Sequence, residues 1–253
     1  MSQFFPDLTK YNQFREPFLG GGSVALWVTK QYPDVLIWVN DLYKPLYNFW
    51  TQLQQNGLWI EDKLMQLKSE YPNPDHARRL FQEAKEQVSD PEIDPLWRAV
   101  YFYVINKCSY SGLTESSSFS SQASESNWSI RGIHKLPGYS ELIKHWKITN
   151  HSYEKLMNGS DSFLYLDPPY EISSHLYGKK GDMHKYFDHD KFAKKCDGCQ
   201  QDMLVSYNSS QLVRDRFSDW KSSEYEHTYT MRSTATYTKA QKDRKELVLL
   251  NYE

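Results

Sequence analysis

Three cysteines in 253 residues are too few for a disulfide framework. Two of them, Cys196 and Cys199, form a single C-x-x-C in KKCDGCQQ, and Cys108 lies far away in sequence. A structural zinc takes four ligands and usually a second paired motif, so no metal is expected and the thiols read as free in a reducing cytosol. No apolar run approaches the length of a membrane span, and the opening residues lack a secretory signal pattern. The expected location is therefore the cytoplasm. A net charge of −2 provides no overall field for a polyanion, and basic residues cluster only locally, at 179–180, 194–195 and 239–245. Two nucleotide signatures are also missing. The glycine cluster LGGGSV is not G-x-G-x-x-G, and no Lys-Ser/Thr follows it as in a phosphate loop. The chain has no internal repeat.

What remains is a globular composition, 39% hydrophobic and 25% charged, long enough for one large domain or a domain with an insertion. Aromatics reach 15%, with 19 Tyr and 8 Trp, which fits either an aromatic-rich core or ring faces that stack on bases. QFREPF (13–18), LGGGSVALWVTKQY and DVLIWVND (34–41) read as strand, glycine turn, helix and strand with a terminal acid. That is the opening of a doubly wound α/β sheet. Helical spacing follows at 43–55, 59–71, 74–88 and 94–110. The Ser-rich stretch 111–137 loses apolar periodicity but has Phe119, Trp128, Ile130 and Ile133 to bury, and reads as an irregular or hairpin-containing insert. A helix near 139–146 and strands near 147–152, 161–166 and 202–208 come next. A helix at SQLVRDRF and strands at 222–231 and 244–253, joined by the loop 232–243, complete the pattern.

FLYLDPPYEIS (163–173) carries the chemistry. An apolar strand, Phe163 to Leu166, runs into two prolines that forbid ladder bonding and an ordinary helix start. The stiffened strand end presents the Asp167 acid, two backbone carbonyls and the Tyr170 ring at fixed positions. A plain strand stop with a capping Asp is the alternative. An exocyclic amino group on a base is a weak nucleophile, because its lone pair is delocalised into the ring. Acceptors on both N–H bonds, the Asp167 carboxylate and the Pro168 carbonyl, would orient it and stabilise the positive charge that develops on nitrogen. The Tyr170 ring would stack on the base. A sulfonium methyl as electrophile needs in-line positioning more than a strong base, and a paired base must be flipped out to reach such a site. Asp41, at a strand tip, suits the hydroxyls of a ribose, with helix capping as the alternative.

REPFLGGGSVAL, VNDLYKPLYNFW, INKCSYSGLTE, LDPPY, MLVSYNSS and RKELVLLNY, in this order over nearly the whole chain, resemble the Dam-like DNA adenine-N6 methyltransferases. The resemblance implies a Rossmann-like S-adenosylmethionine-dependent α/β fold with an inserted, mostly helical target-recognition domain. The catalytic core would be 1–58 and 138–253, and the insert 59–137. Cofactor contacts would come from Glu16, Pro17, Phe18, Gly20, Gly21, Gly22, Asp41 and Asp167, and catalytic contacts from Asp167, Pro168, Pro169 and Tyr170. Lys107, Tyr110, Ser111, Trp128, Arg131, Asn208 and Lys239 are the candidate contacts to double-stranded DNA. The expected products are N6-methyladenine and S-adenosylhomocysteine, with no metal. One departure stands out. The family's opening Gly- and Lys-containing motif, which grips the methionine end of the cofactor, is not found in MSQFFPDLTKYNQF. Two further readings therefore stay open at this point: methylation of an RNA base, and a non-catalytic or partner-dependent DNA-binding relative.

Arg131 is the sharpest candidate for base reading, with a solvated surface charge as its alternative. An arginine on a guanine edge contributes roughly 1–3 kcal/mol of discrimination. Arg131→Ala is expected to relax preference at one base position when methylation is compared across a randomised DNA library. A uniform loss over all sequences would make Arg131 a phosphate contact instead.

Overall fold

The computed structural model describes residues 1–110, 117–170, 187–226 and 245–253. Along the chain the elements are β1 (Gln13–Glu16), α1 (Ser23–Gln31), β2 (Leu36–Asn40), α2 (Lys44–Glu70), α3 (Pro74–Ser89), α4 (Pro95–Cys108), α5 (Ser121–Ser126), α6 (Ile130–Ile133), α7 (Leu136–Leu142), β3 (Lys147–Thr149), β4 (Ser162–Leu166), α8 (His189–Asp197), β5 (Asp202–Asn208), α9 (Gln211–Arg216), β6 (Lys221–Glu226) and β7 (Lys245–Leu250). This is the expected mixed α/β fold. Most expected elements occur; α8 is an addition, and the stretch expected to be irregular or hairpin-containing carries the short helices α5 and α6. The chain divides into two compact units. The first comprises 1–40, 151–173 and 186–253, and the second 41–150 and 174–185. The expected domain boundaries at 58/59 and 137/138 fall inside α2 and α7.

In the first unit six strands run in the order β2-β1-β4-β5-β7-β6. The first four are mutually parallel, and β7 runs antiparallel to β5 and β6 on either side. β4 is buried along its whole length, which is why FLYL reads as an unbroken apolar run. Its Phe163 packs on Phe14 of β1, with ring centroids 6.4 Å apart and planes within 20°. Phe5, Tyr11 and Tyr252 close around the same ring at 5.5–5.6 Å. Burial of each large aromatic stabilises the fold by about 1.5–3 kcal/mol, so this cluster is a main source of cohesion on that face. On the other side Leu164, Leu166, Val205, Tyr207, Leu247 and Leu249 pack against Phe192 and Cys196 of α8 and Val213 of α9. Cys196 is thus a core residue, and Cys199 is half-buried beyond the helix end.

Among its described residues the second unit is helical apart from β3 and the Ser109–Phe119 bridge. α2 packs on α4 and α7, and α3 on α4 and α5. Sequence spacing predicts two helices at 43–55 and 59–71. The backbone agrees: α2 is two helical spans that meet at a kink, where Asn56 leaves helical geometry (φ −137°, ψ 32°). Gly57 sits at this bend for a packing reason. A Cβ there would fall on Ser140 Cβ of α7, with Ser140 Oγ 2.7 Å and Pro137 Cα 3.5 Å away.

Helix propensity alone favours Gly57→Ala by roughly 1 kcal/mol. Overpacking against Ser140 opposes it by about 1–3 kcal/mol. The expected outcome is net destabilisation, read as a lower urea midpoint, and recovery of most of the loss on adding Ser140→Gly.

Candidate active site at the ends of the parallel strands

Three of the four parallel strands end on a polar side chain, and the fourth is followed at once by one. β2 closes with Asn40, β1 with Glu16 and β5 with Asn208, and Asp167 follows β4 directly. The chain goes from β1 to β2 on one side and returns to β4 and β5 on the other, so the order reverses between β1 and β4. Ligands of open α/β sheets bind at this reversal, beyond the carboxyl ends of the strands. Glu16 and Asp167 flank it.

Glu16 is buried, and its Oε2 accepts a hydrogen bond from Ala25 N at 2.8 Å. The helix it reaches, α1, begins at Gly22 without a side-chain cap. A carboxylate from the neighbouring strand therefore satisfies one orphan N–H of the first turn and opposes the helix dipole. Asn40, which no sequence argument singled out, fixes the opposite side of the turn. Its Nδ2 donates to Pro17 O (3.1 Å) and His151 O (2.9 Å), and its Oδ1 accepts from His151 N (2.8 Å). The Asn40 carbonyl accepts from Leu19 N at 2.9 Å, and Gly22 N closes the turn on Leu19 O at 2.8 Å. Gly20 and Gly22 have φ of +50° and +67°, which side chains resist. Gly21 has neither a positive φ nor a neighbour within 4 Å of a would-be Cβ, and it is exposed.

Pro17 is buried beside this turn, and Phe18 turns into an aromatic cluster, stacked on Tyr153 at 5.4 Å and edge-on to Phe187 and Phe192. At the end of β4, Pro168 is buried, and Pro169 and Tyr170 are half-buried. The Tyr170 ring stacks on Tyr207 of β5, with centroids 6.1 Å apart. His189 Nδ1 is hydrogen-bonded to the Tyr207 hydroxyl. Asp167 is exposed by surface area, yet its carboxyl is pushed up from 3.8 to about 7. Surrounding protein withdraws water from the charged form, the Glu246 carboxylate adds like-charge repulsion, and a hydrogen bond from Tyr170 works in the opposite direction. The upward direction has two independent causes.

The profile of the D12 class N6 adenine-specific DNA methyltransferases matches residues 1–231. The chain belongs to this family. Among its relatives, Type II methyltransferase M.MjaIII of Methanocaldococcus jannaschii is 25% identical over 169 residues, 63% of this chain and 58% of that protein. Type II methyltransferase M1.LlaDCHI of Lactococcus lactis subsp. cremoris is 23% identical over 238 residues, 87% of this chain and 81% of that protein. The match to M.MjaIII thus spans less than two thirds of its length.

The remaining candidates of this D12 chain are placed as follows. Asp41, the first residue of the second unit, accepts Tyr43 N on Oδ1 at 2.9 Å, the local turn that precedes α2. Lys107, in the last turn of α4, lies over the Tyr103 ring at 5.3 Å, and burial lowers its pKa. Tyr110 is 50% exposed, beside the Ser109–Phe119 bridge. Arg131 is exposed on α6, and Asn208 is half-buried at the end of β5. Trp128 corrects the expectation of a DNA contact. It is fully buried, 6.1 Å from the Tyr103 ring and beneath the Lys68 ammonium at 5.6 Å, so its indole anchors the helical unit. Ser111, Lys239, the 179–180 pair and the loop 232–243 lie outside the described residues. No described helix is long and apolar enough to cross a membrane.

Glu16→Ala removes a buried charge-assisted bond to a helix start, worth roughly 1.5–3 kcal/mol. The expected result is a loss of that size in urea unfolding. Glu16→Gln, which keeps an acceptor for Ala25 N, should lose less.

Proposed function

We propose that this chain transfers a methyl group to N6 of a flipped-out adenine in double-stranded DNA, with S-adenosylmethionine as donor. The observation that carries the reading is the position of Asp167 and Tyr170 at the strand-order reversal, next to a glycine turn with an open, side-chain-free backbone. When bound, S-adenosylmethionine supplies an electrophilic methyl on a sulfonium. The residues here suit it. The Gly20–Gly22 backbone can be approached closely, Glu16 and Asn40 hold that turn rigid, and carboxylates favour a cationic ligand. Asp41, just past β2, is the proposed acceptor for ribose hydroxyls.

Asp167 accepts one N–H of the adenine amino group and the Pro168 carbonyl accepts the other. As the nitrogen turns tetrahedral, the Asp167 carboxylate stabilises its positive charge and takes up the released proton before passing it to water. Tyr207 backs one face of the Tyr170 ring, and a base stacks on the opposite face, for roughly 1–3 kcal/mol. The exposed Arg131 and Tyr110 of the helical unit are the proposed DNA contacts among the described residues, with Lys107 and Asn208 in support.

Asp167 must be ionised to accept an amino proton, and its carboxyl titrates at about 7 in the free protein. kcat/KM is therefore expected to rise with pH through about 7. A bound cation lowers the proton affinity, so the acid limb of kcat lies at lower pH. The same shift affects stability with a defined sign. The folded pKa exceeds the unfolded 3.8, so this group's contribution to stability declines as pH rises from about 4 to 7. Asp167→Ala should lose at least about a hundredfold in rate, some 3 kcal/mol, while remaining folded. The assay is labelled-methyl transfer to duplex DNA with mapping of the modified base. Near-native turnover by Asp167→Ala, or methyl groups on any atom other than adenine N6, would overturn the proposal.

A further inference from the structure

Glu246 is a buried carboxylate, 6% exposed, near the start of β7. Glutamates are seldom this enclosed without a specific partner. Its Oε1 lies 3.4 Å from the Tyr170 hydroxyl. That hydroxyl also bonds to Asp167, so one phenol serves two carboxylates from strands distant in sequence. The register of β7 places Glu246 opposite Asn208 on β5 and Tyr225 on β6. Tyr207, with His189 bonded to its hydroxyl, backs the Tyr170 ring. Among the described residues, the titratable groups around this corner are Asp167, Tyr170, Tyr207, His189 and Glu246.

We propose that Glu246 is a positioning residue for methyl transfer: it anchors the Tyr170 hydroxyl, fixing the plane of the ring that meets the base, and sets a second negative charge beside Asp167. The proposal rests on Asp167–Tyr170 being the methyl-transfer site. A ring held on one face by Tyr207 and at its tip by Glu246 keeps one orientation before the base arrives, which is the preorganisation a stacking residue needs. The second carboxylate makes Asp167 hold its proton more tightly in the free protein, and a cationic ligand reverses this on binding. The hydroxyl of Tyr170 thereby gains a role that a pure stacking ring would not have.

The test compares Glu246→Gln, Glu246→Ala and Tyr170→Phe with the parent. In the cofactor-free protein, 13C NMR of aspartate carboxyls follows Asp167, whose signal is identified by its loss in Asp167→Asn. Glu246→Gln should lower that midpoint by about one pH unit and move the acid limb of kcat/KM the same way. Glutamine can still accept the Tyr170 hydroxyl, so Glu246→Ala should lose more kcat, between about tenfold and a hundredfold, and Tyr170→Phe should lose a similar amount. Should Glu246→Ala fail to fold, the near-isosteric Gln variant carries the comparison. If Gln also fails, Glu246→Asp replaces it, with a near-parental pH limb and reduced kcat as the expected result. An unmoved Asp167 midpoint together with parental kcat in a folded Glu246→Gln protein would overturn the proposal. Failure of the parent to methylate adenine would overturn the functional reading instead, and the NMR titration would still decide whether Glu246 acts on Asp167.

Discussion

Two carboxylates facing one phenol is an arrangement that a fold does not produce without strong constraint. Like charges at this separation repel, and each loses hydration as protein closes around it. The arrangement persists because the strands that carry its members are held elsewhere. β4 is buried throughout, β5 and β7 pair along five residues, and Tyr207 is buried between the Tyr170 ring and the aromatic cluster of α8. The two prolines after Asp167 remove the slack by which the chain could relax the repulsion. On the proposed function, a cationic ligand and a polarised amino group would offset the repulsion, so an affinity for positive charge would be built in before binding.

The glycine turn obeys a complementary constraint. Two positive φ angles and an exposed central glycine would make it loose. Its rigidity comes from both flanks: Glu16 grips the helix that follows, and the Asn40 amide grips Pro17 and His151. Neither residue needs to touch a ligand to matter. Each converts a flexible backbone into a surface of fixed shape, and each is itself buried where its hydrogen bonds face little competition from water.

Much of the fold was legible because its signals are local. Apolar runs marked β2, β4 and β5, and the glycine cluster marked the first turn. Asp-Pro-Pro-Tyr declared a stiff polar strand end. What was not legible depends on partners distant in sequence. The break between the helical spans of α2 falls at Asn56, as the spacing suggests, but the reason for the glycine beside it is Ser140, far away in sequence. α8 buries only Phe192, Ala193 and Cys196 among lysines, too faint a stripe to declare a helix. Trp128 offered an indole equally suited to a base or a core, and burial decided for the core. Asn40 and Glu246 are ordinary polar residues until register places them, and no single-chain pattern reveals register.

β7 enters the sheet between β5 and β6, and Glu246 meets a tyrosine 76 residues earlier in the chain. β7 can pair with β6 by itself, but bringing Glu246 to Tyr170 closes a long interval, which is slow compared with local helix formation. The corner that joins Glu246 to Tyr170 is thus expected to assemble after the local elements of its sheet. A folding intermediate with β1, β2, β4 and β5 in place would have the glycine turn and Asp167, but not the charge that tunes it. Ligand affinity and chemical competence would then be acquired at different moments of folding, and a chain caught between them would hold cofactor without the geometry to use it.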